Sequence, residues 1–223
     1  MSKSKSRRQQ VKEQSSLRKN WLAYSVVGVI VIVAGYFTYS AISGGSANTS
    51  TSPKQWSSPP PMAIDTNKQY TAHIQMAKGT IDVHLLPKDA PIAVNSFVFL
   101  ARQHYFDGVT FHRVLAGFMA QGGDPTGTGT GGPGYTFANE VSTGLTFADA
   151  GVVAMANTGQ PNSNGSQFFI TFAPQPGLNG GYTIFGHVTS GMAVVQAITL
   201  RDPSANPNAP PGDKITTITI DEQ

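Results

Sequence analysis

Apolar and polar residues alternate without a break through Tyr70-Thr-Ala-His-Ile-Gln-Met76, and again through Thr80-Ile-Asp-Val-His-Leu85 after the short step Ala77-Lys78-Gly79. A period of two cannot line one face of a helix, whereas it sorts a strand into a core side and a water side. Two such runs across a glycine-containing turn predict a β-hairpin. Thr110–Val114, Gly151–Ala156, Gln167–Thr171, Thr183–Val188 and Ile215–Ile220 are further short strand candidates, separated by Gly, Pro and Asn clusters. Many short strands with turn signals between them predict an antiparallel, mostly β body, a barrel or a sandwich.

Two segments have helical spacing instead. In the stretch from Asp89 to Arg102, Asp89 can cap, Pro91 suits the first turn, and Val94, Phe97, Val98 and Ala101 recur at three-to-four spacing. Ser190–Ile198 is a second, shorter helix candidate.

The body does not fill the chain of 223 residues. Residues 1–20 hold seven basic groups and one acidic group. From Trp21 to Ile42 there is no charge, and this run is long enough for a bilayer core, which needs roughly 20 apolar residues. Trp21, Tyr24, Tyr36 and Tyr39 flank it as interfacial aromatics. The expectation is a transmembrane anchor over residues 21–43 behind a basic cytoplasmic tail, with the rest of the chain outside: a single-pass cell-membrane protein. A cleaved signal peptide ending near Ala41-Ile42-Ser43 is the alternative, disfavoured because the apolar run exceeds the roughly 7–15 residues of a signal core. Residues 44–62 are small, polar and proline-rich and predict a linker, flexible first and stiffer through Pro59-Pro60-Pro61. Residues 63–223 then form one domain.

That domain carries seven basic and eleven acidic groups, a net charge of −4, so the overall +3 belongs to the tail, and nucleic acid is not the expected partner. Cysteine is absent, which excludes disulfides, thiol nucleophiles and Cys-based zinc sites. The five histidines are scattered without ligand spacing. Gly127-Thr-Gly129-Thr-Gly-Gly132 matches the glycine pattern of a dinucleotide loop, but Pro133-Gly134 follows where a helix must open. Ser166, His112 and Asp124 could form a hydrolase triad only if the fold joined them, and no G-x-S-x-G surrounds the serine. Asn164 heads an Asn-Gly-Ser sequon, which belongs to a larger motif.

That motif is one of two in which a polar amide sits beside aromatics: Phe111-His-Arg113-Val-Leu-Ala-Gly-Phe118-Met119-Ala-Gln121-Gly-Gly-Asp124 and Asn162-Ser-Asn-Gly-Ser-Gln167-Phe168-Phe169-Ile170. Together with Met155-Ala-Asn157 and Ile184-Phe-Gly186, in this order, they resemble the signature of the cyclophilin family of peptidyl-prolyl cis–trans isomerases, from about Tyr70 to Ile220. The glycine-rich loop and the apolar anchor resemble those of membrane-anchored bacterial members. The resemblance implies a closed eight-stranded antiparallel barrel with a helix at each end, a cyclophilin-like fold.

It further implies that Arg113 is the catalytic arginine, that Phe118, Met119, Phe169 and Leu178 form a proline pocket, and that Gln121, Ala156, Asn157 and Gln167 hold the peptide backbone. Tyr182 stands where many members have His. The loop Thr158-Gly-Gln-Pro161 is one residue longer than the common form. Gly177 replaces a Trp that contacts cyclosporin in many members, so weak drug sensitivity is expected. The implied function is acceleration of X-Pro bond rotation in proline-containing polypeptides, exported proteins in particular, by a monomer without cofactor or metal. The alternative is a non-catalytic chaperone or assembly module that grips Pro-containing segments.

Overall fold

The structure, a computed structural model, describes residues 54–223 apart from Ser142. The expected basic tail, the span 21–43 and the first part of the linker lie outside the described residues. Among the described residues, no helix is long and apolar enough to cross a membrane.

Strands β1 (Tyr70–Met76) and β2 (Gly79–Leu85) form the expected antiparallel hairpin, with Ile74 opposite Ile81 and Ala72 opposite Val83. Tyr70, Ala72, Ile74 and Met76 face inward with Ile81, Val83 and Leu85, as the alternation requires. Each buried Val, Leu or Ile contributes about 1.5–3 kcal/mol relative to exposure. Six more strands follow: β3 (Arg113–Leu115), β4 (Met119–Gly122), β5 (Val152–Met155), β6 (Phe168–Thr171), β7 (Ile184–Ser190) and β8 (Ile215–Glu222). All the pairings are antiparallel, in the order β3-β4-β6-β5-β7-β2-β1-β8.

The sheet is curled but the expected closed barrel is not formed: β3 and β8 are its two end strands and do not pair with each other. The reason is local. β3 has three residues, and its outer edge is taken by Arg201, which exchanges both backbone hydrogen bonds with Val114 (2.6 and 2.9 Å). The start of β8 pairs instead with the chain ahead of β3, through Gly108 N–H to the Ile215 carbonyl and Ile215 N–H to the Val109 carbonyl (2.8 Å each).

Helix α1 (Pro91–Arg102) covers the inner face of the sheet. Its Phe97 ring lies 5.2 Å from Phe106, 5.5 Å from Phe168 and 5.2 Å from Phe185. Asp89 does not cap it. The first helical N–H groups of Ile92 and Ala93 donate to the Glu140 carboxylate (3.0 and 2.9 Å) from a distant loop, which satisfies donors that any helix start leaves unpaired. Helix α2 (Met192–Gln196) is a single short turn started by Gly191 at φ +83°.

The middle of the sheet is buried on both faces. Along β5 and β6, Val153, Met155, Phe168 and Ile170 enter the main core, while Val152, Ala154 and Phe169 join a second apolar cluster on the opposite face. Phe147, Met119 and Ile184 complete its buried part.

Residues 54–62, predicted as linker, pack on the domain. The Trp56 ring lies 5.1 Å from Phe99, and Asn95 Nδ2 donates to the Pro61 carbonyl at 3.0 Å.

Candidate active site

The second cluster gathers the residues predicted for a proline pocket. Met119 on β4 and Phe169 on β6 are nearly fully buried in it, and Phe118, Ala156, Leu178 and Tyr182 pack against it while keeping part of their surface open. Leu178 ends a 3₁₀ turn, Pro176–Leu178. Phe147, which the sequence reading did not single out, is the floor. It stacks on Phe169 (centroids 5.9 Å apart, planes at 12°), and the Tyr182 ring stands edge-on to both, 5.4 Å from Phe169 and 6.5 Å from Phe147. Offset-stacked and edge-to-face contacts are the favoured aromatic geometries. No spacing rule marks Phe147, because it sits in a loop whose N–H is held by the Asn179 side chain (2.8 Å).

The polar residues lie along one rim. Arg113 on β3 is paired with Gln121 on β4, and Gln121 with Phe169 on β6, so the guanidinium-bearing strand, the amide and the apolar floor are adjacent rungs of one sheet. Gln121 Nε2 donates to Gln167 Oε1 at 2.9 Å. Gln167 Nε2 in turn donates to the carbonyls of Gly129 and Gly131, both at 3.0 Å. Among the described residues, Arg113 has no ion-pair partner.

Asn157 is placed nearby, but its side chain is occupied: Nδ2 donates to the Gly181 carbonyl (3.0 Å) and to Asn139 Oδ1 (3.2 Å), and Oδ1 accepts from Gly159 N–H (2.9 Å). Ala156 is fixed by its N–H donating to the Gln167 carbonyl at 2.9 Å.

The glycine-rich stretch is an irregular loop with no helix after it, so the geometry of a dinucleotide site is not formed. Its shape is set by Asp124, fully buried, whose carboxylate accepts from Thr126 N–H (2.7 Å), Thr126 Oγ1 (2.8 Å), Gly129 N–H (2.6 Å) and Gly131 N–H (3.1 Å). Burial alone would raise its pKa, but these donors outweigh it and hold the carboxyl below the ordinary value. Gly123, at φ +84°, lets the chain pass where a Cβ would come within 2.2 Å of the Ser166 carbonyl oxygen.

Ser166, His112 and Asp124 are all buried in this region but are not joined as a triad. Ser166 Oγ donates to the Gly123 carbonyl (2.7 Å) and bonds Tyr105 Oη (3.0 Å), while neither ring nitrogen of His112 has a partner. Burial lowers the His112 pKa, with Arg113 and Arg201 adding to the effect and Asp124 opposing it. Asn164 is fully buried, with Nδ2 donating to the Ala138 carbonyl at 3.0 Å, so its sequon is a structural element and not a glycan acceptor. Among the described residues, no group of three or more His, Asp and Glu side chains could hold a metal ion.

The family profile described as "Cyclophilin type peptidyl-prolyl cis-trans isomerase/CLD" matches residues 71–220. "Peptidyl-prolyl cis-trans isomerase-like 1" of Rhizopus delemar is 50% identical over 136 residues, which span 60% of this chain and 82% of that protein. "Peptidyl-prolyl cis-trans isomerase ppi1" of Schizosaccharomyces pombe is 46% identical over 142 residues, 61% of this chain and 91% of the relative. The crystal structure of a cyclophilin-type peptidyl-prolyl cis-trans isomerase of Cryptosporidium parvum matches with TM-score 0.63 and 34% identity, over 70% of this chain and 99% of that one.

These relatives correct one expectation. They come from fungi and a protozoan and not from bacteria, and among the described residues no helix is long and apolar enough to cross a membrane. The cell-membrane localisation with an extracytoplasmic domain is therefore not retained. The substrate class that the family implies is the proline-containing polypeptide. With the profile spanning most of the chain and the curled eight-stranded fold beneath it, this chain belongs to the cyclophilin-type peptidyl-prolyl cis–trans isomerase family and is an isomerase.

Proposed function

We propose that this isomerase speeds X-Pro rotation by aiming the Arg113 guanidinium at the prolyl nitrogen of a peptide whose proline ring sits over Phe169 and Met119. The observation that carries this reading is the placement of Arg113 one rung from Gln121 and two from Phe169, at the rim of an apolar cluster.

Uncatalysed rotation has an activation energy near 20 kcal/mol and breaks no covalent bond. In the planar amide the proline lone pair is delocalised and accepts hydrogen bonds poorly. In the twisted state it is localised on nitrogen and accepts well. A donor aimed at that nitrogen binds the transition state in preference to either ground state. Arginine keeps its protons and charge throughout the physiological range. One preorganised donor is worth about 2.7–4 kcal/mol, or roughly 10²–10³ in rate. The rest comes from holding the proline in a partly dry apolar pocket and the flanking backbone in register.

Gln121 and Gln167 supply that register. Because Gln121 gives its Nε2 to Gln167, its Oε1 is left to face Arg113 or a peptide N–H. Ala156, Asn157, Phe118, Leu178 and Tyr182 line the same groove, Asn157 through its backbone because its side chain is engaged. A monomer is taken as the functional unit. The domain is taken as residues 63–223, with 54–62 as a docked strap.

The test is turnover of a short X-Pro peptide by the wild-type chain and by Arg113→Ala and Gln167→Ala. Both variants are expected to be impaired, the first far more. Wild-type turnover in Arg113→Ala would refute the arginine mechanism, and binding without loss in that variant would point to a module that merely grips prolines.

A further inference from the structure

Trp56 lies ahead of the region that the family profile covers, yet it is docked where two routes to the groove begin. Its backbone N–H donates to the Pro133 carbonyl at 2.8 Å. The ring packs on Phe99 at the end of α1 and tilts against Tyr105, with centroids 5.1 and 5.9 Å apart. Two residues earlier in the strap, Lys54 Nζ donates to the Gln103 carbonyl. The loop on the other side is shaped to receive it: Gly134 sits at φ +90°, and a Cβ there would come within 2.6 Å of the Trp56 carbonyl oxygen.

Both routes end at Gln167. One runs along the glycine-rich loop from Pro133 to Gly131 and Gly129, whose carbonyls accept the two Nε2 protons of Gln167. The other runs through Tyr105, whose hydroxyl bonds Ser166 Oγ at 3.0 Å, one residue from Gln167. Gln167 then fixes the amide of Gln121 opposite Arg113. A segment with no strand pairing of its own is thus held by an aromatic ring, and it braces the loop that orients the groove amides.

We infer that Trp56 is a positioning residue for the isomerase: it latches the glycine-rich loop and, through it, sets the orientation of Gln167. This rests on the reading of Gln167 as a groove residue given above. The latch acts on how the peptide is held, so its loss raises KM more than it lowers kcat.

The experiment is a double-mutant cycle in the full chain, with Trp56→Ala, Gln167→Ala and the double variant assayed on one X-Pro peptide at a temperature where all remain folded. Trp56→Ala is expected to lower kcat/KM about threefold to tenfold, within the range of coupling found between residues of one network, mostly through KM. In the Gln167→Ala background the same substitution is expected to change kcat/KM by less than about twofold. Trp56→Phe, which keeps an aromatic ring on Phe99, is expected to restore most of the loss. Equal losses in both backgrounds would overturn the inference, because a residue that only stabilises the fold costs the same in each. Wild-type activity of Gln167→Ala itself would be a different pattern: it would sink the groove reading and the latch together.

Discussion

Gln121 and Gln167 join their side-chain amides across 2.9 Å, the first donating and the second accepting. An amide has two donors and an acceptor, and here each is assigned by its neighbours. The Gln167 donors are spent on the loop carbonyls of Gly129 and Gly131, so its oxygen is the end that must face Gln121. Gln121 is thereby left with its own oxygen uncommitted to Gln167, on the rung beside Arg113. The glycine-rich loop thus fixes which end of the Gln167 amide faces Gln121.

Arg113 lies on an edge strand, partly exposed, and among the described residues makes no ion pair. Its removal should cost the fold little, within about 0.5 kcal/mol as for other surface positions, while kcat/KM falls about 10²–10³. Arg113→Lys keeps the charge but loses the planar fork, so an intermediate rate is expected. Turnover measured beside circular dichroism and a melting curve separates the two effects.

The rate should be nearly flat between pH 6 and 8. Arginine does not titrate there. The nearest group that could is His112, and burial, aided by the Arg113 and Arg201 charges, lowers its pKa from the ordinary 6.5. Charging of the imidazole is thereby moved to lower pH, which favours the neutral ring beside Arg113. A bell-shaped profile of kcat/KM would mean that a titrating acid or base takes part.

Phe147→Ala removes a fully buried ring from beneath Phe169 and Tyr182. The loss expected for a buried Phe truncated to Ala is about 3–5 kcal/mol. Because the cavity opens under the pocket rather than in the main core, KM should rise as well. Denaturant unfolding gives the first quantity and peptide turnover the second. Unchanged KM in a folded variant would show that the floor does not shape the pocket.

Much of this architecture is legible before folding, and the gaps have physical causes. The alternation of Tyr70–Met76 and Thr80–Leu85 marks a hairpin because one face of it meets water. β5 and β6 are buried on both faces, so their runs are apolar throughout, and no pattern tells which residue faces the pocket. Met119, Phe169, Leu178 and Tyr182, which the resemblance assigns to the groove, share one apolar cluster. It did not reach Phe147, a loop residue with no periodicity around it. That the sheet stays open is also not legible there, since the intrusion of Arg201 on the edge of β3 is a long-range event. Trp56 looked like linker because its neighbours are Ser, Gln and Pro, and only the folded partner surface at Phe99 and Pro133 makes it part of the domain.

Gly177 sits in the 3₁₀ turn beside Leu178, and a Cβ there meets nothing within 4 Å. A side chain can therefore start from this position without a clash at its first carbon. Gly177→Trp is expected to tighten cyclosporin binding by about tenfold or more, in line with a well-placed aromatic contact being worth above 1 kcal/mol, with little change in peptide turnover. Titration calorimetry of the drug on both proteins checks it, and equal affinities would mean that the departure at this position does not govern drug sensitivity.

His73 gives the fold a pH dependence of opposite sign to that of His112. Its Nδ1 lies 2.7 Å from an Asp82 oxygen and its Nε2 lies 3.2 Å from an Asp221 oxygen, so the protonated ring ties β1 to β2 and β8. The hydrogen bond to Asp82 is the main cause of a pKa raised above the ordinary 6.5, against a smaller desolvation effect, with Asp221 adding to the rise. A folded state that holds its proton more tightly than the unfolded chain gains stability below the unfolded pKa of about 6.5 and loses it as pH rises through the folded value. Asp221 is largely exposed, so the effect is modest and screened by salt. His73→Asn should flatten this part of the curve. Unfolding free energies of both proteins in denaturant at pH 5.5, 7 and 8.5 decide it: the gap between them should be widest at pH 5.5 and shrink toward pH 8.5. A gap that stayed constant would show that the Asp–His–Asp contact makes no difference to the proton affinity of the folded state.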